Sequence, residues 1–377
     1  MYVNFCAKSQ YFNQLISSQT CLRVYHGDRS IWTMYGLAVR SAQSIGLHRD
    51  GKNFNMSPFE TEMRRRLWWN IASTDSRAAE DHGIFLISSE GSSDTQYPLN
   101  IDDRELSPDM QVLPVAKLRW TEMTFPLIII ETTRVLQQLH QTPATSFNAI
   151  SSEANKIKVV SDLVARFETT YLSHCDHNIP IEQATILMSR MMTEKLSCII
   201  RLQSLKRSDF ENNTPATEET LSAACKILEL YLEFQLNDLL GKFHWLSERF
   251  AQYHMLTYLL WHLCVRPVGP SVVKTWDIVN KTFEVAIYRN SSAVGSKWEV
   301  LRLLKEKAIQ AREVQIMGSS MENAATDNLS ALHDLSGESR ETSDFTFGDA
   351  AHWDMTGLGI PDWNNLVGNF DMGGSDI

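Results

Sequence analysis

Ser57-Pro58-Phe59-Glu60-Thr61-Glu62-Met63-Arg64-Arg65-Arg66-Leu67-Trp68-Trp69 is the stretch from which the architecture of this chain can be read. Ser57 is a good N-cap, Pro58 suits the first helical position, and Glu60 stands three residues after the cap. The run therefore predicts a capping box that opens a helix. Glu60 and Glu62 come first and the arginines follow one turn later. That order suits the helix dipole and sets up Glu60–Arg64 and Glu62–Arg66 pairs at i,i+4. Met63, Leu67 and Ile71 then make an apolar stripe that Trp68 and Ala72 widen. The expectation is a helix docked on its Leu67/Trp68 face, with its arginine face solvated. A surface for phosphate or an acidic partner is the sharper reading of Arg64, Arg65 and Arg66; a Glu-paired wet face is the plainer one and is preferred.

The preceding segment, about 30–45, carries Trp32, Tyr35, Gly36, Val39 and Ala42 at helical spacing, with Gly46 placed as a C′ residue. A mid-helix glycine costs roughly 1 kcal/mol against alanine, so Gly36 predicts a close approach between helices. Two antiparallel helices joined through Leu47-His48-Arg49-Asp50-Gly51 follow. Asp75 falls on the Trp68/Ala72 side of the second helix, where a lone carboxylate is costly, and Arg40 is its expected structural partner.

Beyond this hairpin, residues 156–171, 181–205, 217–236, 243–265 and 272–286 repeat apolar positions every three or four residues. Asn178-Ile179-Pro180, Asn212-Asn213-Thr214-Pro215-Ala216 and Arg266-Pro267-Val268-Gly269-Pro270 separate them. So many striped helices need one another for burial, which makes the chain all-α, a multi-helix bundle or solenoid-like array. Residues 83–97 read as loop. The most apolar windows, 125–130 and 255–265, are too short to span a bilayer, and the N-terminus has no signal-peptide pattern. Six scattered cysteines fit a reducing compartment, most of them as small core residues.

Charge divides the chain at about residue 317. Residues 318–377 hold 11 acids against Arg340 alone, a net charge of −10, so residues 1–317 balance at 34 acids and 34 bases. A neutral body lacks the basic footprint of a stand-alone nucleic-acid binder. Residues 318–342 are polar and linker-like. Phe345, Phe347, Trp353, Trp363 and Phe370 then return among acids, the alternation of a disordered activation domain. The expected organisation is an all-α regulatory domain over 1–317 and a disordered acidic–aromatic tail over 318–377. The plainer alternative packs Trp363 and Phe370 back onto the bundle.

Five motifs in order carry a family resemblance. They are Gly36-Leu37-Ala38-Val39-Arg40, Gly46-Leu47-His48-Arg49-Asp50-Gly51, the helix through Trp69, Pro98-Leu99-Asn100-Ile101-Asp102-Asp103, and Thr121-Glu122-Met123-Thr124-Phe125. Weaker echoes run through Cys175-Asp176, Gln252-Tyr253-His254, Arg266-Pro267 and Trp276, so the likeness covers roughly 20–285. This pattern resembles the fungal-specific transcription factor domain, the middle homology region of binuclear zinc cluster regulators. The resemblance marks Gly36, Arg40, Gly46, His48, Arg49, Arg64, Arg65, Arg66, Trp68, Trp69, Asp75, Pro98, Asn100 and Asp103 as structural motif positions.

One departure stands out. Such regulators hold two zinc ions in an N-terminal module built on C-x2-C pairs, and Cys6, Cys21, Cys175, Cys198, Cys225 and Cys264 form none. The expectation is a chain without cofactor of its own, zinc belonging to a cluster upstream if one exists. It is either a fragment or truncated gene product, or a regulator that works without its own DNA reader.

Other constellations weigh less. His174-Cys175-Asp176-His177 reads as a polar loop before a metal site, and His254 and His262 as core or groove histidines, being about 12 Å apart along a helix. Trp245, Trp261 and Trp276 either fill the core or line an effector cavity. No G-x-S-x-G elbow, glycine-rich phosphate loop or H-E-x-x-H occurs, and the chain does not read as an enzyme.

The reading is thus a nuclear transcription regulator that meets coactivators through its tail. It is open to homo- or heterodimerisation and to a small-molecule effector, reaches DNA only indirectly or through a missing module, and has no membrane partner. The alternatives are a free-standing interaction protein that tunes a complete regulator, and an α-helical small-molecule-binding protein.

Overall fold

A computed structural model describes residues 29–81, 93–140, 153–203, 216–250, 252–289 and 296–329, with backbone alone at 29–32, 80–81, 140, 202–203, 248–249, 288–289, 296–297 and 318–329. Among them are ten α-helices and no strand: α1 (Arg29–Ser44), α2 (Pro58–Asp81), α3 (Thr124–His140), α4 (Glu153–Thr170), α5 (Pro180–Gln203), α6 (Glu218–Leu236), α7 (His244–Arg249), α8 (Tyr253–Val265), α9 (Val272–Arg289) and α10 (Ser296–Leu329). The chain is all-α, as its periodicity requires. Two compact units divide it. Of the described residues, the first takes those up to 203 and 226–252, the second 216–225 and 253–329.

In the first unit α1 packs on α2, α2 on α3, and α3 and α4 on α5. The α1–α2 hairpin closes over one apolar cluster of Ala38, Ala42, Leu47, Leu67, Trp68, Trp69, Ile71 and Ile130. Its corner is set by the backbone. The Gly46 N–H donates to Gln43 O at 2.9 Å and the Leu47 N–H to Ala42 O at 3.0 Å, a Schellman end. This requires Gly46 at φ +73°, a conformation cheap only for glycine. The capping box at α2 is formed, with the Glu60 N–H donating to Ser57 Oγ at 3.2 Å and the Ser57 N–H to Glu60 Oε2 at 3.4 Å.

Gly36 departs from expectation. A Cβ there would meet no described atom within 4 Å, so no described helix makes a close approach at Gly36. The tight contact is at Gly51, where a Cβ would stand 2.9 Å from Thr61 Cα. Glycine spacing on a helix reports a missing side chain, and only the packing says whether anything comes near.

Farther along, α3 and α4 are tied through Glu131, which accepts from the Tyr171 hydroxyl at 3.0 Å and pairs with Arg166. The 243–265 run, expected as one long helix, is broken: Asp238–Phe243 is a 3₁₀ helix, α7 ends at Arg249, and Gln252 stands outside any helix before α8. Polar side chains take the backbone groups at the break, Ser247 Oγ donating to His244 O at 2.8 Å and Gln252 Nε2 to Phe250 O at 2.5 Å.

In the second unit α8 is buried on every side from His254 to Leu263, as befits a helix apolar all round, and it packs on α9 and α10. Trp298 meets Tyr253 and Phe283 edge-on at 5.9 and 5.6 Å. Trp261 and Trp276 are core residues. Trp245, in the first unit, is 55% exposed and belongs to no core. Burial keeps His262 neutral, its pKa pushed down to about 4. Helix α10 runs on to Leu329, so 318–329, linker-like in composition, are helical. The remainder of the tail, with Phe345, Phe347, Trp353, Trp363 and Phe370, lies outside the described residues.

Trp68 is only 5% exposed, with the His48 ring tilted against it at 6.2 Å. Trp68→Ala should cost roughly 3–5 kcal/mol in urea unfolding; a loss below about 1 kcal/mol would show that the ring contributes little to the core.

Candidate functional site

The arginine face of α2 is the least expected part of the molecule. Arg65 is 2% exposed and Glu62 fully buried. The solvated face expected for Arg64, Arg65 and Arg66 is therefore corrected: two polar segments, 47–57 and 93–106, lie over it and supply its partners.

Arg65 grips Asp50 with Nε to Oδ2 at 2.8 Å and Nη2 to Oδ1 at 3.0 Å, and reaches Gln96 Oε1 at 2.7 Å. The Lys52 and Gln96 N–H groups fill the remaining acceptor positions of Asp50 at 3.1 and 3.0 Å. Burial alone would raise the Asp50 carboxyl, but Arg65 and these two amides outweigh it and hold the pKa below its ordinary value. Arg66 pairs with Glu62 at 3.1 Å and Asp103 at 2.5 Å. Glu62 also accepts the Leu99 N–H at 3.1 Å, yet burial dominates and pushes its pKa up.

Arg64 does a different job. Its Nη2 donates to Gly46 O at 2.5 Å, placing a cation at the carbonyl end of α1. The expected Glu60–Arg64 pair is thus secondary to a contact between two helices. Trp69 donates Nε1 to Gln96 O at 2.9 Å and meets Tyr97 edge-on. Arg49 pairs with Asp94 at 2.8 Å on the surface.

Asn100 anchors the next segment. Its Nδ2 donates to Lys117 O and Arg119 O at 2.7 and 3.0 Å, while Oδ1 accepts from the Thr121 and Thr124 hydroxyls at 2.7 and 2.9 Å. A fully satisfied buried amide fixes the entry to α3. Pro98 is buried beside it, and Asp102 pairs with Arg119.

Asp75 overturns the pairing drawn for it. Arg40 is exposed and donates to Gln43 Oε1 at 3.0 Å. Asp75, 5% exposed, leaves Oδ1 without a hydrogen bond among the described residues. Burial pushes its pKa up to about 6.

A separate cavity of about 60 Å³ opens in the first unit, lined among others by Ser73, Arg77, Thr132, Lys195, Phe250 and Gln252. None of these positions was singled out for binding in the sequence, because they come from α2, α3, α5 and the α7–α8 break. His174, Cys175, Asp176 and His177 do not converge: Asp176 caps the Asn178 N–H at 2.8 Å, His177 contacts Gln183 and the Cys175 thiol donates to Tyr171 O. Burial pushes the Cys198 and Cys264 thiols up to about 12, which suits small core residues.

The arginine helix, the Gly46 corner and the Asn100 anchor thus form one polar core, and all three lie within residues 10–221, which match the family model described as "Fungal specific transcription factor domain". The chain belongs to the fungal-specific transcription factor domain family. Among relatives of this domain, the aurofusarin cluster transcription factor aurR2 of Gibberella zeae is 26% identical over 263 residues, 67% of this chain and 38% of that protein. The transcriptional regulator AacuB of Aspergillus aculeatus is 25% identical over 301 residues, 78% and 40% of the two chains. The pyriculol/pyriculariol biosynthesis cluster transcription factor 1 of Pyricularia oryzae is 28% identical over 264 residues, 66% and 34%. The chain spans less than half the length of these relatives. No solved structure matches it.

Arg65→Met should cost about 3–5 kcal/mol by chemical denaturation, because it leaves Asp50 charged and buried, whereas Arg49→Ala on the surface should cost under about 1 kcal/mol. Equal losses would mean that the buried pair holds nothing special. For Asp75 the unfolded carboxyl releases its proton near 3.8 and the folded one near 6. Stability should therefore fall as pH rises through that window and level off above it. Asp75→Asn should gain on the order of 2 kcal/mol at pH 7.5 and nothing near pH 3.5; a destabilised variant at pH 7.5 would reveal an ionic partner.

Proposed function

We propose that this chain is the regulatory portion of a fungal transcription regulator acting in the nucleus, with its acidic–aromatic tail as the activating segment. Membership of the family through residues 10–221 carries the reading. The charge distribution supports it, since the excess of −10 sits entirely in residues 318–377, where aromatics alternate with acids. Such alternation suits capture of Phe345, Phe347, Trp353, Trp363 and Phe370 by a coactivator groove.

Contact with DNA then falls to a zinc-binding module or to a partner regulator that has one. The cysteines here are spaced for neither role. The relatives from Gibberella zeae and Pyricularia oryzae are named for biosynthetic clusters, and genes of such a cluster are the class of target that fits. The helical body receives the signal, through self-association, a second regulator or a metabolite, and holds or releases the tail.

Because α10 ends at Leu329, the fusion to test is 330–377, alongside the full chain, on a heterologous DNA-binding domain in a yeast reporter strain. Activation by 330–377 that disappears with Trp353→Ala combined with Trp363→Ala is the expected result. Silence from both fusions removes the activator role and leaves a helical partner-binding or ligand-binding protein.

A further inference from the structure

The cavity in the first unit is used by none of the motif residues, and its lining is chemically one-sided. Ser73 and Gln252, both more than nine-tenths buried, line it together with Thr132, and Ser73 Oγ, Gln252 Oε1 and Thr132 Oγ1 have no hydrogen-bond partner among the described residues. One buried polar atom left unmet is unremarkable. Three on one hollow ask for contents that can meet them.

Two cationic side chains, Arg77 and Lys195, also line the cavity, with Phe250 under the Arg77 guanidinium at 5.7 Å. Among the described lining residues none is acidic, and Arg77 and Lys195 bring their charge to the cavity alongside the other contacts they make. Hydroxyl donors, an amide acceptor and two cations together match an anion that also carries a donor. The volume sets the size: about 60 Å³ is well short of the roughly 150 Å³ that admits a benzene ring, and accommodates a head group of a few heavy atoms.

We propose that this cavity binds the carboxylate head of a small 2-hydroxy acid. The carboxylate faces Arg77 and Lys195 and accepts from the Ser73 and Thr132 hydroxyls. The 2-hydroxyl donates to Gln252 Oε1. Occupancy stands independently of the transcriptional role, whereas its use as a regulatory input rests on that role. Because the wall joins α2, α3 and α5 to the segment before α8, occupancy ties together helices distant in sequence.

The test titrates the purified full-length chain with glycolate and lactate, and in parallel with acetate, inorganic phosphate and the neutral analogue ethylene glycol, by calorimetry and thermal melting. Saturable binding of the hydroxy acids with a raised melting temperature is expected, weaker for acetate and absent for ethylene glycol. Ser73→Ala and Gln252→Leu should each lower affinity about tenfold, and Lys195→Met by more, with circular dichroism confirming that each variant is folded. Binding of phosphate alone overturns the carboxylate assignment. Binding untouched by all three variants places the ligand elsewhere, and no binding at millimolar acid leaves the hollow to water; either result overturns the proposal. Binding in solution with a silent reporter would keep the site and remove the regulatory role.

Discussion

Burying Arg65 against Asp50 is the constraint that organises the first unit. A guanidinium withdrawn from water is tolerable only where an ion and further hydrogen bonds replace the solvent. Here one carboxylate takes both arms of the fork while two backbone amides fill its remaining lone pairs. Meeting that demand fixes the residues around Asp50 and those around Gln96 against the same turn of α2. The corner after α1 and the extended chain at 93–106 are thereby placed together, though more than forty residues separate them.

Other polar contacts propagate from this one. Arg64 lies one residue before Arg65, turned by a helical step, and so meets the carbonyl end of α1. Arg66, one step after, turns to Glu62 and Asp103. Three consecutive arginines thus address three different directions, which is how one helix can hold a helix end, a loop and an extended segment. Asn100 repeats the principle at the entrance of α3 with a neutral side chain. A polar core of this kind favours one arrangement, since its charged groups must find partners of opposite sign in fixed directions. Asp75 and the oxygens around the cavity depart from that economy. Where several such groups gather on one hollow, a ligand or a proton has most to offer.

Much of this was legible beforehand. The capping box, Gly46 as C′ residue, the separators at Asn178-Ile179-Pro180 and Arg266-Pro267, and the helical periodicity are local or nearly local in origin. They depend on which φ/ψ a residue permits and on which neighbour lies one turn away. What failed, failed for non-local reasons. Charge at i,i+4 is satisfied equally by solvent or by a segment folded back over the helix, so the wet arginine face and the dry one share a pattern. The Arg40–Asp75 pair was drawn from proximity on neighbouring helices, which says nothing of rotamer. The 243–265 run is interrupted between Arg249 and Tyr253, where Gln252 bonds the Phe250 carbonyl, a local competition invisible to periodicity.

The sequence by itself determined that this chain is helical, where several helices begin and end, which family motifs it carries, and that its net negative charge comes entirely from residues 318–377. Those properties follow from backbone stereochemistry, spacing and counting, each read within a few residues. Only the tertiary structure decided that Arg64 and Arg65 are buried, that Asp75 Oδ1 has no hydrogen bond among the described residues, that Gly51 sits hard against Thr61, and that Ser73, Thr132, Lys195 and Gln252 share one hollow. The reason is dielectric and geometric: whether a polar group meets water, a partner or a void is set by segments distant in the chain, and it is known only once they have packed.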